Sequence, residues 1–265
     1  MIYTWYGMTE VSIIGCGNMG SALIEGLSES GNHEVTAYDV DENALEAVSP
    51  LCDQTTTDVE EATTSNVVIV AVKPEIVPDV LDSIDLSADQ TLVTIAAGVP
   101  TDFVAARTDA TVVRIMPNLA AETRDMAAAV SWDEPVDDVR ALLDDLGRFV
   151  VVDEDKMDVV TALNGSGPAF VFYLMQAMKE AAVDEGLAPD DAEVLTAQTF
   201  KGAAETVLQS EKSVDELIDA VCSPNGTTIE GMEVLWGSEA DGLVGEALEA
   251  AAERSSELAS EFDDE

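Results

Sequence analysis

The most constraining feature of the sequence is a glycine-rich turn that follows a short apolar segment. Gly15-Cys16-Gly17-Asn18-Met19-Gly20 comes directly after Val11–Ile14 and opens a segment of helical periodicity. In this G-x-G-x-x-G pattern the first glycine permits a tight turn, the second lets backbone N–H groups approach a pyrophosphate, and the third allows close helix–strand packing. The pattern predicts a strand–turn–helix unit that binds a dinucleotide. A glycine-rich turn without a ligand is the alternative.

Apolar segments of strand length alternate with amphipathic segments through the first half of the chain. The predicted strands are Val11–Gly15, Glu34–Asp39, Val67–Val72, Thr91–Ala97, Thr111–Met116, Ala127–Trp132 and Phe149–Val152. This alternation predicts an α/β fold of the Rossmann type, with a doubly wound, mostly parallel sheet covered by helices on both faces. We therefore assign residues 1–155 to a dinucleotide-binding domain.

Only helical patterns follow Asp155, and they predict an all-α second domain over residues 156–265. Its segment Ala169–Met178 is apolar on every face, so we expect it to be buried all round, most easily against a second copy of the chain. This predicts an obligate, domain-interlocked homodimer or a higher oligomer. The uncharged stretch Val159–Met178 mimics a membrane span, but Asn164–Pro168 interrupts it, so we expect no membrane partner.

Asp39 ends the second predicted strand, about 20 residues after the glycine-rich turn. A carboxylate at this place accepts hydrogen bonds from the adenosine ribose of NAD. A 2′-phosphate about 4 Å away would be repelled by roughly 4 kcal/mol at an effective dielectric constant of 20, a value that salt reduces. No Lys or Arg follows in Val40–Asn43 to compensate. Asp39 thus favours NADH over NADPH, and a plain helix N-cap is the other role open to it.

The chain is strongly acidic, with 54 Asp and Glu against 11 Lys and Arg and a net charge of −43. The carboxylates are spread along the sequence, and 47% of residues are hydrophobic, so we expect a folded protein with an acidic surface. Nucleic acid is excluded as an expected partner because phosphate backbones are bound by clustered Lys and Arg. Adaptation to high salt explains the charge better than an acidic interaction surface, since molar salt shortens the Debye length to about 3 Å.

Three cysteines are spaced widely along the chain: Cys16, Cys52 and Cys222. Their odd number and spacing predict neither a disulfide framework nor a zinc site, and a reducing cytoplasm fits this usage. The single histidine, His33, lies in a polar segment, so we expect a surface residue rather than a metal ligand or a member of a catalytic triad. Met1–Gly7 lacks the features of a signal peptide, and we interpret it as a dispensable extension before Met8.

Six segments share residues with one enzyme family: Ile13–Gly20 (IIGCGNMG), Ala71–Pro74 (AVKP), Ile95–Gly98 (IAAG), Arg114–Asn118 (RIMPN), Ala162–Phe170 (ALNGSGPAF) and Cys222–Glu230 (CSPNGTTIE). Together they resemble pyrroline-5-carboxylate reductase, the family that catalyses the last step of proline biosynthesis. The resemblance spans nearly the whole chain. The last two segments are the specific ones, because the Rossmann fingerprint is shared by many dehydrogenase families.

The segment Ser223–Thr228 predicts a turn that opens a helix, so the N–H groups of Gly226, Thr227 and Thr228 would point at an anion such as a substrate carboxylate. An N-capping turn without a ligand is the alternative. In the family the corresponding threonine contacts the ring nitrogen, so the resemblance implies that Thr228 is catalytic. It also implies that Glu211 approaches the substrate.

The resemblance and the strand ends together predict the residues that line the cofactor. They are Ile14, Gly15, Cys16, Gly17, Asn18, Met19, Gly20, Asp39, Ala71, Val72, Lys73, Pro74, Ile95, Ala96, Ala97 and Asn118. Lys73 would meet a phosphate or the ribose, with a surface ion pair as its alternative. Asn118 would shape the site near the nicotinamide.

The implied reaction is hydride transfer from NADH or NADPH to the C=N carbon of Δ1-pyrroline-5-carboxylate, which yields L-proline. Little acid–base machinery is needed, because a protonated imine is already electrophilic and proximity supplies much of the rate. Asn164, Phe170 and Asn225 stand where the family usually has Ser, Tyr and Gly.

The sequence leaves two alternatives open. A β-hydroxyacid dehydrogenase needs a lysine shortly after its second glycine-rich turn, whereas here the lysine that follows Gly167 is Lys179. A nucleotide-binding regulatory protein would keep the fold without turnover.

Overall fold

A computed structural model of the chain describes residues 8–262, so the predicted extension Met1–Gly7 lies outside the described residues. Within residues 8–262 the strands of one eight-stranded sheet are β1 Thr9–Ile14, β2 His33–Tyr38, β3 Gln54–Thr56, β4 Val67–Val70, β5 Thr91–Thr94, β6 Thr111–Pro117, β7 Met126–Ser131 and β8 Gly147–Val151. Their order is β3-β2-β1-β4-β5-β6-β7-β8. Neighbouring strands are parallel except β6 and β7, which are antiparallel. The predicted α/β class and mostly parallel sheet are confirmed.

Central strands β4 and β5 are buried at every position. A strand covered by helices on both faces needs successive apolar side chains rather than alternation, which is why the VVIV sequence of β4 is continuous. From β3 to β6 the strand order is the dinucleotide-binding order 3-2-1-4-5-6. The order reverses between β1 and β4, so a ligand crevice is expected at the carboxyl ends of these two strands.

Helices cover both faces of this sheet. They are α1 Asn18–Ser30, α2 Glu42–Val48, α3 Val59–Ala62, α4 Val77–Ser83, α5 Thr101–Ala105, α6 Asp137–Leu146 and α7 Met157–Val160. On one face α1 and α6 bury Leu27 and Leu143 in a common core, and on the other face α4 and α5 bury Leu81 and Val104. The two cores pack against the two faces of the sheet, beneath the edge where the ligand crevice is expected.

In this part of the chain the sequence patterns miss one strand and place one residue wrongly. Strand β3 was not predicted, because three residues are too short for an alternating pattern to stand out. His33 is not a surface residue: its side chain is 2% exposed, and its Nε2 lies 2.8 Å from Oδ2 of Asp145. Asn32 also donates to this carboxylate. Asn32 and the buried imidazole of His33 therefore share the carboxylate of Asp145.

The remaining helices are α8 Gly167–Asp184, α9 Pro189–Gln209, α10 Val214–Val221, α11 Thr227–Trp236 and α12 Ala240–Ser260. The chain divides into two compact units, one of which runs to Ser166 and resumes at Glu249, while the other is Gly167–Leu248. This division differs from the predicted boundary after residue 155. The second half of α12 belongs to the first unit because Ser255 is buried there and donates to Asp158 Oδ1 at 2.7 Å.

Helix α8 carries large apolar side chains that one chain leaves uncovered. Phe172 and Tyr173 are 62% and 76% exposed, and none of the described residues of α8 is buried. The sequence predicted that this helix is buried on every face, and a single chain does not supply that burial. Within residues 8–262 no helix has both the length and the apolar content that a membrane crossing requires.

Candidate active site

The glycine-rich turn joins β1 to α1 in the predicted way. Gly15 has a φ of +102°, and a Cβ there would lie 2.8 Å from the Ala71 carbonyl oxygen. A Cβ on Gly20 would lie 1.9 Å from the Gly15 carbonyl oxygen, so the third glycine is required for close packing. A Cβ on Gly17 would meet nothing within 4 Å, which leaves open space beside the turn.

The start of α1 is suited to an anion. Gly17 is its N-cap residue and provides no side-chain hydrogen bond, and no acidic residue lies in the first turn. First-turn N–H groups have no partner within a helix and carry the positive end of its dipole. The open space beside Gly17 and these donors together fit the pyrophosphate of a dinucleotide.

Adjacent strand ends bring most of the other predicted cofactor residues to the same edge. Ala71 N–H donates to the Ile14 carbonyl at 2.8 Å, and Ile95 N–H donates to the Val70 carbonyl at 3.3 Å. The segments Ala71–Pro74 and Ile95–Ala97 therefore continue from β4 and β5 at the carboxyl edge beside the turn. Lys73 is exposed and directly precedes a 3₁₀ helix at Pro74–Ile76.

Asp39 lies at the end of β2 and contacts the glycine-rich turn directly. Its Oδ2 accepts the Cys16 N–H at 2.7 Å, and its Oδ1 accepts the Asp41 N–H at 2.9 Å. The alternative role as a helix N-cap is wrong, because the N-cap of α2 is Asp41, which accepts from Asn43 N–H. One carboxylate thus joins the loops that follow β1 and β2.

Cys16 is buried in this turn, and its thiol is not activated. Burial, with smaller contributions from the nearby Asp39 carboxylate and from Cys52, raises the pKa of Cys16 to about 12. A thiol with such a pKa is neutral at physiological pH and is a poor nucleophile. Cys16 therefore contributes the backbone N–H that Asp39 accepts, rather than a thiolate.

Two asparagines hold the end of the β6–β7 pair. Asn118 Oδ1 accepts the Ala127 N–H at 3.2 Å, and Asn164 Nδ2 donates to the carbonyls of Ala127 and Met116 at 2.9 and 2.6 Å. Asn164 belongs to a π-helix at Thr161–Ser166, a form that often occurs at functional sites. Sequence reasoning treated Asn164 only as a departure from the family pattern and missed this contact. The π-helix would have pointed to Asn164, but the periodicity of the sequence does not distinguish a π-helix from an α-helix.

The predicted substrate residues lie in the second unit. Gly226 is the N-cap of α11, and Thr227 and Thr228 are its first two residues. Asn225 has a φ of 60°, so it takes the conformation that glycine allows in the family pattern. The prediction that the Gly226 N–H faces an anion is wrong, because this N–H donates to the Ser223 carbonyl at 2.9 Å and closes the turn.

The N–H groups of Thr227 and Thr228 remain at the start of α11, and the Thr228 side chain is exposed. Glu211 is exposed in the loop between α9 and α10. Among residues 8–262, no cluster of three or more His, Cys, Asp or Glu side chains is arranged to hold a metal ion.

Known proteins resemble this chain over almost all of its length. The family described as pyrroline-5-carboxylate reductase dimerisation matches residues 154–258, and the family described as NADP oxidoreductase, coenzyme F420-dependent, matches residues 10–98. The pyrroline-5-carboxylate reductase of Methanosarcina acetivorans is 37% identical, over 94% of this chain and 97% of that protein. The chain belongs to the pyrroline-5-carboxylate reductase family. It is accordingly an NAD(P)H-dependent oxidoreductase, and the resemblance stated from the sequence is confirmed.

Other members of the pyrroline-5-carboxylate reductase family agree in sequence and fold. The Pseudomonas aeruginosa enzyme is 36% identical, over 96% of this chain and 98% of that protein. A structure of the Plasmodium falciparum enzyme with NADP bound has a TM-score of 0.85 at 26% identity and covers 96% of this chain and 100% of that chain. The Coxiella burnetii enzyme has a TM-score of 0.83 at 31% identity, covering 95% and 99%.

Proposed function

We propose that this protein reduces Δ1-pyrroline-5-carboxylate to L-proline with NADH as its preferred cofactor. The observation that supports the reaction most directly is the combination of a complete dinucleotide turn, closed by Gly15 and Gly20, with the S-P-N-G-T-T turn that opens α11. The family relationship extends over both segments.

The first unit binds the cofactor. First-turn N–H groups of α1 hold the pyrophosphate, and the carboxyl ends of β4 and β5 at Ala71–Pro74 and Ile95–Ala97 line the rest. When bound, NAD(P)H supplies a hydride to the C=N carbon of the substrate. The chain's task is to hold the reactants in contact and in the correct orientation, which can contribute roughly 7 to 11 kcal/mol.

The start of α11 binds the substrate. The N–H groups of Thr227 and Thr228 bind the carboxylate, because a helix N-terminus favours an anion. The Thr228 hydroxyl orients the ring nitrogen as the imine becomes an amine. Glu211 approaches the same substrate.

Asp39 supports a preference for NADH. Its carboxylate lies at the end of β2, where it accepts from backbone N–H groups and stands where an adenosine ribose is recognised. A 2′-phosphate at this place would meet like charge. NADPH use is reduced rather than abolished, since salt screens the repulsion.

The assembly is a domain-interlocked homodimer or a higher oligomer. The exposed Phe172 and Tyr173 of α8 support it, because a soluble monomer rarely leaves such a large apolar surface uncovered. The relationship to the dimerisation family over residues 154–258 supports it as well.

The working environment is a salt-rich, reducing cytoplasm. The net charge of −43 supports high salt, and the free state of Cys16, Cys52 and Cys222 is compatible with a reducing compartment.

Turnover tests the proposed function. Purified protein in molar KCl should oxidise NADH in the presence of Δ1-pyrroline-5-carboxylate and release proline in equal amount. Thr228→Ala should lower kcat about 10- to 100-fold with unchanged NADH affinity, because the hydrogen bond to the ring nitrogen is lost. Thr228→Ser keeps the hydroxyl and should retain most of the activity.

One result would contradict the proposed reaction, and another would contradict only the role of Thr228. A nucleotide-binding protein without turnover would be stabilised by NADH but would not oxidise it in the presence of the substrate. Equal kcat values for Thr228→Ala and the wild type would remove the role of Thr228 while leaving the reaction intact.

A further inference from the structure

Two side-chain amides hold the backbone of one residue, Ala127, at the end of the β6–β7 pair. Asn118 accepts the N–H of Ala127, and Asn164 donates to the carbonyl of the same residue and to that of Met116. Asn118 directly follows β6, and Ala127 is the second residue of β7.

The hydrogen bonds decide which way each amide faces. A backbone N–H can only donate, so the atom of Asn118 that faces Ala127 is the carbonyl oxygen. Two backbone carbonyls can only accept, so the atom of Asn164 that faces them is the nitrogen. Pro117, the last residue of β6, has no N–H to contribute, and the Asn164 amide supplies two donors at this end of the ladder.

This orientation leaves the NH₂ end of Asn118 as the end that a ligand would meet. The sheet order 3-2-1-4-5-6 consists of two mononucleotide-binding halves, and Asp39 ends a strand of the first half. Asn118 follows the last strand of the second half, where the nicotinamide nucleotide belongs. The nicotinamide carries a carboxamide, whose oxygen is an acceptor.

We propose that Asn118 donates a hydrogen bond from Nδ2 to the carboxamide oxygen of the nicotinamide, and that Asn164 is a positioning residue that fixes the backbone of Ala127 and, through it, the Asn118 amide. The proposal rests on the proposed function in that it requires a bound dinucleotide. It assigns Asn118 to recognition of the nicotinamide ring, and Asn164 to its support.

Direct binding measurements test the proposed hydrogen bond between Asn118 and the nicotinamide carboxamide. ADP-ribose contains every part of the cofactor except the nicotinamide, so it serves as the matched ligand. Reduced 3-acetylpyridine adenine dinucleotide has an acetyl group in place of the carboxamide. It keeps the carbonyl acceptor but has no amide N–H. It therefore cannot rotate this group to donate a hydrogen bond to the carboxylate of an Asn118→Asp variant. Titration calorimetry in molar KCl gives the affinity for both ligands.

Asn118→Asp is the informative variant because it is nearly isosteric and still accepts the Ala127 N–H. It replaces the donor with an acceptor, so affinity for the acetylpyridine dinucleotide should fall about tenfold or more, while affinity for ADP-ribose stays within about twofold of the wild type. Equal changes for the two ligands, or none, would overturn the proposal. A substrate KM that rises with no change in this ratio would instead place the Asn118 donor on the substrate.

Asn164 is tested in a double-mutant cycle. The quantity compared is the affinity for the acetylpyridine dinucleotide divided by the affinity for ADP-ribose. Asn164→Ala should lower this ratio in the wild-type background and leave it unchanged in an Asn118→Ala background. Asn164→Ser retains one donor and should restore part of the ratio. A merely structural role would lower the melting temperature in both backgrounds without moving the ratio, and this result would overturn the positioning role.

The outcome separates the inference from the proposed function. Wild-type protein that binds neither ligand would overturn both. Wild-type protein that binds NADH and forms proline, with a ratio that Asn118→Asp does not change, would overturn the inference alone.

Discussion

Oδ2 of Asp39 lies 2.7 Å from the backbone nitrogen of Cys16, so the carboxylate expected to recognise the ribose also holds the glycine-rich turn. Its Oδ1 accepts from Asp41 at 2.9 Å. Asp39 therefore has two separable properties, a negative charge and a hydrogen-bond acceptor for the turn. Substitutions that remove one or both can distinguish between them.

Asp39→Asn removes the charge and keeps an acceptor for the Cys16 N–H. In the wild type, the Asp39 carboxylate repels the 2′-phosphate by an energy of order 1 kcal/mol after screening by salt. Because the variant lacks this repulsion, we expect the ratio of kcat/KM for NADPH to that for NADH to rise about tenfold. The measurement is steady-state kinetics with both cofactors at several KCl concentrations, and the gain should be larger at lower salt.

Asp39→Ser is the companion variant, since its shorter side chain loses the contact to the turn as well as the charge. It should raise the same ratio but weaken the binding of both cofactors. An unchanged ratio in both variants would mean that the carboxylate does not approach the 2′ position.

Two glycines of the same turn give a matched pair. Gly20→Ala places a Cβ 1.9 Å from the Gly15 carbonyl oxygen, so the backbone must shift and the free energy of unfolding should fall by about 2 kcal/mol or more. Gly17→Ala has nothing within 4 Å and should leave the unfolding free energy within about 0.5 kcal/mol while weakening ADP-ribose binding. Urea denaturation and calorimetric titration check the two effects, and a stable Gly20→Ala variant would contradict the packing role.

Local patterns predicted the first unit well because its signals are strong and short in range. The glycine spacing located the turn, and the buried run of β4 showed a strand covered on both faces. The family resemblance correctly identified the enzyme class.

Features that depend on contacts distant in sequence were not predicted. The burial of His33 depends on Asp145, and the return of α12 to the first unit depends on the contact between Ser255 and Asp158. Neither partner is visible from local periodicity. The role of Asn164 likewise required knowledge that Met116 and Ala127 present their carbonyls to it.

The exposed face of α8 predicts a specific effect on assembly. Phe172 is 62% exposed in one chain, and burial of a phenylalanine against a second copy contributes about 1.5–3 kcal/mol per chain. Phe172→Asp should therefore shift the protein toward smaller species by light scattering in molar KCl. Val40→Asp is the control, since Val40 is 82% exposed in the first unit. An unchanged molar mass for Phe172→Asp would exclude this face from the interface.

Arg114 and Glu154 form an ion pair in the first unit that should make stability depend on pH. Nη1 of Arg114 lies 2.6 Å from Oε1 of Glu154, and the arginine side chain is 4% exposed. Glu154 also accepts the Thr101 N–H at 3.1 Å, which caps α5. Burial alone would raise the pKa of Glu154, but the hydrogen bond and charge of Arg114, together with Thr101, hold this pKa below its usual value.

A carboxyl whose pKa is lowered by folding contributes stability that is complete above its unfolded pKa, about 4.3, and is lost as the pH falls through the folded pKa. Glu154→Gln removes the charge and keeps a similar shape, so it should be less stable than the wild type at pH 7. Because protonated Glu154 resembles glutamine, the difference between the two unfolding free energies should close below about pH 4. Other carboxylates titrate in both proteins and cancel in the comparison. A difference that stays constant or grows in acid would show that the ionised pair does not stabilise the fold.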